Sequence, residues 1–507
     1  MPNYVLWSRW AAPAEPRVGG MPSPPGRPIA ATPFARVQSV EDELDQLGLL
    51  RILTGLICLA RFAPIVWASA DYFDPRAGGA FSDITIEGLR LLALIVAGTV
   101  GFASPIVFPL LVIACSQYDD VVNTQTLGTN FLNLLWGLFF LTGAGARRSV
   151  DASLLRTTHL VGAPIRMLYR LVGTPTLPQL RQIYLLYFIA FALINLGALA
   201  YHVDDRAWKS GYLLRDLLTN SYLCRAWETF RAIVAEVPAL ISAVSIGGSI
   251  GQAIFQAFML PLIFTRWGSR FVIAWGAVFF TLSLLFLQLS YLPPLEWVLW
   301  WALFHRPRVA RETEAVRISW RSPRAGRLVW WAGVTTLVVF AIHDAPAAAR
   351  FIDIRNETVA RTLRRIGLEV PLVFNADDLR MGEAWPVIYR EPDDDPLPYH
   401  GLQGQRLTWV QWNDLFYFGN SLRWRRNYSG PSDLSETGDA LAQLAAVARY
   451  DHRRAGATSS RYRIEYYAHA QAAGRPAASR FETKLIGVDY VECQGTAEAA
   501  SCHRLAN

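Results

Sequence analysis

Between Leu49 and Asp344 the chain runs repeatedly through stretches of about twenty residues almost without charge, the length needed to cross a bilayer core. Gln182 to Val203 and Val272 to Leu292 contain no Lys, Arg, Asp or Glu. A helix at the surface of a soluble domain keeps a polar face, and these have almost none. The sequence therefore predicts an α-helical polytopic membrane bundle.

Hydrophobic residues make up 52% of the 507, too few for a chain built of spans alone. The polar remainder lies at the two ends. Residues 1–45 are rich in Pro, Gly and Arg and read as a disordered tail. They show no apolar stretch of the kind a cleaved signal peptide carries. Residues 46–345 form the transmembrane region, and residues 346–507 a separate domain. The net charge is +7. Much of the excess falls between spans, where it reports topology rather than affinity for nucleic acid.

About nine crossings are expected. The first five lie near Leu49–Ala70, Ile86–Ala103, Ile106–Tyr118, Leu127–Gly145 and Gln182–Val203. Residues 230–266 are long for one crossing and contain Ser245-Ile-Gly-Gly-Ser-Ile-Gly251, so a sixth and a seventh span are placed there. An eighth starts near Phe271 and is completed after Pro293-Pro294, and a ninth lies near Leu328–His343. Arginines 147, 148, 156, 166, 170 and 181 fill one loop. Arginines 306, 308, 311, 317, 321, 324 and 327 fill another. Both belong on the cytoplasmic side by the positive-inside rule. An odd number of spans then leaves the N-terminus in the cytoplasm and the C-terminal domain outside, in the periplasm if the membrane is a bacterial inner membrane. Residues 152–178 mix Leu, Ile and Met with spaced Arg and read either as an interfacial helix or as a solvated loop.

The C-terminal domain alternates polar with β-branched and aromatic residues, as in Arg461-Tyr-Arg-Ile-Glu-Tyr-Tyr467. This pattern gives strands with one buried face, expected at Trp385–Tyr389, Leu407–Trp412, Leu415–Phe418, Tyr462–Tyr467 and Phe481–Val491, and a β-rich, sandwich-like domain with one helix over Asp433–Tyr450 follows. Cys493 and Cys502 flank a short polar loop and form the candidate disulfide, which an extracytoplasmic domain would allow.

Two stretches carry more than general membrane character. Asn130 to Asp151 (NFLNLLWGLFFLTGAGARRSVD) pairs an Asn and an apolar span with a small-residue break and Ser-x-Asp. Tyr184 to Gly211 (YLLYFIAFALINLGALAYHVDDRAWKSG) is an aromatic span containing YFIA, with Trp-x-x-Gly beyond it. Together they resemble the HTTM domain, the membrane domain shared with vitamin K-dependent γ-glutamyl carboxylase. The resemblance implies nine helices, a β-rich lumenal end, and carboxylation coupled to epoxidation of a reduced quinone. It also implies an intramembrane Lys just after YFIA and a His beside the first Asn. Here YFIA runs into Phe191-Ala-Leu-Ile-Asn195, and Asn130 is followed by Phe131. Asn195 carries no titratable proton to exchange at neutral pH. Carboxylase activity is therefore not expected, while a membrane quinone or lipid stays in view as ligand.

The candidate intramembrane polar site consists of Asn195, Asn130 and Asn133, because polar groups in hydrocarbon face a partner or a cavity. A helix–helix hydrogen bond is the plainer role for Asn195. His202, Asp204, Asp205, Trp208 and Lys209 cluster at the outer mouth of the fifth span, where a cation or proton site competes with a solvated loop. Ser149 and Asp151 read as a helix N-cap. No nucleotide-binding, zinc or other metal motif is present. Three functions remain: a bundle that binds lipid or quinone or anchors its outer domain, an active quinone-dependent enzyme, and a small-solute transporter.

Overall fold

A computed structural model describes residues 40–72, 80–121, 129–157, 162–173, 175–202, 206–219, 224–287 and 291–304 of the helical region. In the C-terminal region it describes 384–392, 399–400, 406–407, 455–470, 482–496 and 501–505, with a few isolated residues including 448–449 and 451–452. The ninth expected span and most of the expected helix at Asp433–Tyr450 lie outside these residues.

The helical part begins with α1 (Val40–Tyr72), α2 (Ala80–Val100), α3 (Ser104–Val121) and α4 (Thr129–Thr142). Two short helices, α5 (Val150–Arg156) and α6 (Gly162–Val172), precede the long α7 (Leu177–His202). Then come α8 (Arg206–Ser210), α9 (Leu213–Thr219), α10 (Trp227–Glu236), α11 (Pro238–Leu262), α12 (Arg266–Phe286) and α13 (Leu292–Phe304). Four segments are long and apolar enough to cross a membrane: Val40–Ala63, Leu177–Leu199, Pro238–Leu262 and Arg266–Phe286. Their outward faces are apolar, with Leu240, Val244, Ile250, Ile254 and Phe258 exposed along α11 and Val278, Leu282 and Leu285 along α12. In water such surfaces would be a liability; the arrangement is consistent with a membrane protein.

Packing partners follow in the order α1, α2, α3, α4, α7, α11, α12, α13, and α13 returns to pack on α1 and α4. The bundle thus closes on itself around one core. Trp136, Phe139, Phe188, Phe191, Phe255, Phe280 and Trp300 are buried in it.

Local signals set the helix ends. Ser149 caps α5 by accepting from the amide of Ala152 at 3.0 Å. Thr265 caps α12 through the amide of Gly268 at 3.1 Å, and Pro238 occupies the first turn of α11, where its missing N–H costs nothing.

The expected division of residues 230–266 into two spans is not what the chain does. Residues 238–262 form one continuous helix, about 37 Å long at 1.5 Å per residue. Gly248 and Gly251 make room for neighbours rather than for a turn, while Gly247 faces open space. A Cβ on Gly251 would lie 2.1 Å from the Trp275 ring, and one on Gly248 would lie 3.0 Å from Leu214. The division falls later: Leu287 adopts extended backbone, and Pro293 and Pro294 open α13 as a separate helix.

Gly251→Ala should therefore push Trp275 off α11 and break its hydrogen bond to Gln252, at a cost of about 1–3 kcal/mol typical of overpacking. A lowered melting temperature with a shifted tryptophan emission maximum would register this; an unchanged spectrum would refute it.

In the C-terminal part, β1 (Ala384–Arg390), β4 (Ser459–Ala470), β5 (Glu482–Gln494) and β6 (Ser501–Arg504) form an antiparallel sheet in the order β1-β4-β5-β6. Two short strands, β2 (Tyr399–His400) and β3 (Arg406–Leu407), pair separately. Three of the expected strands, Trp385–Tyr389, Tyr462–Tyr467 and, from Glu482 on, Phe481–Val491, fall on β1, β4 and β5, and the other two, Leu407–Trp412 after its first residue and Leu415–Phe418, lie outside the described residues. The period of two holds: Ser460, Tyr462 and Ile464 of β4 are buried, as are Asp489, Val491 and Cys493 of β5 and Ile388 of β1. The register matches them across the sheet, Ile388 to Ile464, Tyr462 to Val491 and Ser460 to Cys493. Ala448 and His452 are also buried. His452 joins Ser460 Oγ at 2.8 Å through Nδ1 and the Gly495 carbonyl at 3.0 Å through Nε2. Among the described residues the sheets of this part are the four-stranded one and the β2–β3 pair. Cys493 and Cys502 face each other across β5 and β6 and are disulfide-bonded, with Cα atoms 4.0 Å apart.

Candidate functional site

Two polar constellations lie inside the helical part. The first ties the turns at one end of the bundle. Arg51 of α1 is completely buried. It donates to three backbone carbonyls of the α4–α5 connection: Ala144 at 3.4 Å, Arg147 at 3.2 Å and Arg148 at 2.8 Å. Asp151 is equally buried. Its carboxylate accepts from the amides of Ala103 at 2.8 Å and Ser104 at 2.9 Å and from the Tyr169 hydroxyl at 2.8 Å. Burial and the adjacent carboxylate raise the Tyr169 phenol well above its usual range, so it stays a donor at neutral pH.

This cluster holds two strained positions. Among the described residues, Ala103 and Arg148 are the non-glycine residues with positive φ, 47° and 46°. The left-handed region is costly for side chains with a Cβ. The Ala103 amide is held by Asp151, the Arg148 carbonyl by Arg51, and the Arg148 guanidinium by Asp45 at 2.9 Å. Gly101, with φ 67°, has no room for a Cβ, which would sit 2.4 Å from Arg51 Nη1. Ser149 is the N-cap expected of it. Asp151 is not: it reaches across to the first turn of α3, where free amides and the helix dipole favour a carboxylate.

The second constellation runs along α11. Ser245, Ser249, Gln252 and Gln256 are spaced four, three and four apart, one face of a helix, and all four are buried. Ser245 Oγ donates to the Gly211 carbonyl at 2.8 Å and accepts from the Arg215 amide at 3.1 Å. Gln252 Oε1 accepts from Trp275 Nε1 at 2.9 Å. Ser249 Oγ and Gln256 Oε1 find no partner among the described residues, nor does Trp300 Nε1. Phe255, next to Gln256, touches Trp300 at 5.9 Å between ring centroids. Phe191 touches Trp300 at 5.8 Å and Phe280 at 5.7 Å. A polar face of this kind in a helix otherwise clad in Ile, Val and Phe is an expensive arrangement in hydrocarbon.

The sequence-predicted residues fare unevenly. Asn195 lies half-buried on α7 and donates through Nδ2 to the Phe191 carbonyl of its own helix at 2.9 Å. Asn130 and Asn133 are buried in α4, and neither stands in a described bond with Asn195. His202 is buried and stacks on Trp208 with centroids 4.3 Å apart. Lys209 is exposed on α8, and Asp204 and Asp205 lie outside the described residues. Among the described residues no three His, Cys, Asp or Glu side chains gather as metal ligands. Missed from the sequence were Gln252 and Gln256. The signal was present in their spacing from Ser245 and Ser249, but it was hidden by reading the glycines between them as a turn. No family model matches the chain, and no curated protein or solved structure is similar to it.

Proposed function

We propose that the chain is an HTTM-type integral membrane protein, similar to vitamin K-dependent γ-carboxylases but without their intramembrane Lys. Its bundle holds the polar head of a membrane quinone or lipid against the polar face of α11. The observation that carries this reading is the pair of buried acceptors on one face of α11, Ser249 Oγ and Gln256 Oε1, that have no partner among the described residues. A quinol hydroxyl or lipid hydroxyl donates to such acceptors, and the Trp300 N–H suits a quinone carbonyl. The α11 face supplies hydrogen bonds and no titratable base, so it supports binding rather than carboxylation. The N-terminus is cytoplasmic and the C-terminal domain periplasmic. The Arg-rich loops support this orientation, as does the Cys493–Cys502 bond, which suits an oxidising compartment.

The test is titration of a short-chain naphthoquinone into the protein in nanodiscs, read by quenching of tryptophan emission. Saturable quenching is expected, weakened about two- to tenfold by Gln256→Leu, the value of one hydrogen bond, and unchanged by Asn195→Leu. Quenching that rises without saturation and is the same in Gln256→Leu would defeat the reading. Incorporation of labelled carbonate into glutamate peptides would defeat the loss of carboxylase chemistry.

A second reading, a bundle that only anchors its outer domain, has one observation in its favour. Asn195 is satisfied by its own helix, and aromatic rings fill the core beside it. Non-saturable quenching is the outcome that selects it.

A further inference from the structure

Helix α6 has two apolar faces. One is packed: Gly162, Ile165 and Tyr169 are buried, and Leu168 lies against the Ala146–Ile165–Tyr169 cluster. The other, roughly opposite at 100° per residue, holds Pro164, Met167 and Leu171. These are exposed, Met167 to 64%. Leu160, just before the helix, is 91% exposed. Arg166 and Arg170 occupy the strip between the two faces, and exposed Arg156 ends α5 close by. From Ala152 to Arg181 the chain has Arg156, Arg166, Arg170 and Arg181 and no acidic residue. A second apolar face edged by cations alone is the pattern of a helix lying in a bilayer interface, with arginines reaching phosphates and alkyl groups below them.

The helix is also fixed in place. Tyr169 bonds Asp151, which in turn holds the first turn of α3, and Arg166 donates to the Thr157 carbonyl. The exposed face is therefore presented by a fixed joint.

We propose that α5 and α6 form a docking platform for the anionic phospholipid surface of the leaflet at that end of the bundle. Leu160, Met167 and Leu171 enter the acyl boundary, and Arg156 and Arg170 engage the phosphodiesters. The platform is independent of what α11 binds. It rests only on the helices crossing a membrane.

The experiment uses the full chain carrying Met167→Cys, labelled with a polarity-sensitive fluorophore. The label is compared in nanodiscs of phosphatidylcholine alone and with increasing phosphatidylglycerol. Emission should shift to the blue and become protected from iodide as phosphatidylglycerol rises. Arg156→Gln with Arg170→Gln should raise the phosphatidylglycerol fraction needed for half of the shift severalfold, since each surface cation contributes roughly fivefold. Both arginines are exposed, so the variant should keep its melting temperature, which is measured alongside. Water-like emission in every disc would overturn the platform. Equal burial in pure phosphatidylcholine, indifferent to the arginines, would overturn its anionic selectivity.

Discussion

Asp151→Ala should lower the melting temperature of the detergent-solubilised protein by about 5–10 °C and sharply reduce the monodisperse fraction. The carboxylate accepts from two backbone amides and the Tyr169 hydroxyl without contact with solvent. Its removal orphans three donors and takes the opposite charge from the neighbourhood of buried Arg51. Breaking a buried ionic cluster by deleting one partner costs about 3–5 kcal/mol, and each orphaned donor adds its own penalty. Asp151→Asn keeps one acceptor oxygen and should lose roughly half as much. Because Ala103 and Arg148 are held at positive φ by the same cluster, the loss should be cooperative. In a double-mutant cycle, Arg51→Leu and Asp151→Leu together should cost less than the sum of the single changes. Additive costs, or a melting temperature within 1–2 °C of the parent for Asp151→Ala, would contradict this account.

The second large effect belongs to the sheet. Cys493→Ser with Cys502→Ser opens a covalent loop whose ends are 9 residues apart. Loop-closure entropy makes such a link worth about 2.5–3 kcal/mol. Here it joins the short strand β6, of 4 residues, to the edge of β5. The effect should therefore appear first as loss of protection of β6 amides in hydrogen exchange, with β4 and β1 keeping theirs. Uniform exchange across β1, β4, β5 and β6 in the serine variant would show instead that the sheet unfolds as one unit.

What could be read in the sequence depended on how local its cause was. The charge-free run at Gln182–Val203 lies in α7, which starts five residues earlier, at Leu177, and runs to His202, because twenty apolar residues need no partner to declare themselves. The alternation around Tyr462 and Ile464 likewise specified one buried face of β4. The Cys493–Cys502 pair was legible from its short spacing. The cluster of glycines near Gly247 misled because glycine permits a turn and equally permits close approach. Only Trp275, 24 residues further on, decides between these at Gly251. Asp151 looked like a cap for its own helix, since its real partners, Ala103, Ser104 and Tyr169, are 48, 47 and 18 residues away. The polar face of α11 was illegible for the same reason as the turn: a helix cut in two has no continuous face.

Arg51 imposes an order on the making of this protein. Its guanidinium belongs to the first apolar helix, yet its acceptors are carbonyls 93 to 97 residues later. A ribosome adding roughly 5–20 residues per second needs several seconds to cover that distance. Throughout that interval the nascent first helix carries a cation without the three carbonyls that later accept from it. The joint between the first helix and the turn that follows the fourth can close only once the chain through Arg148 has been made.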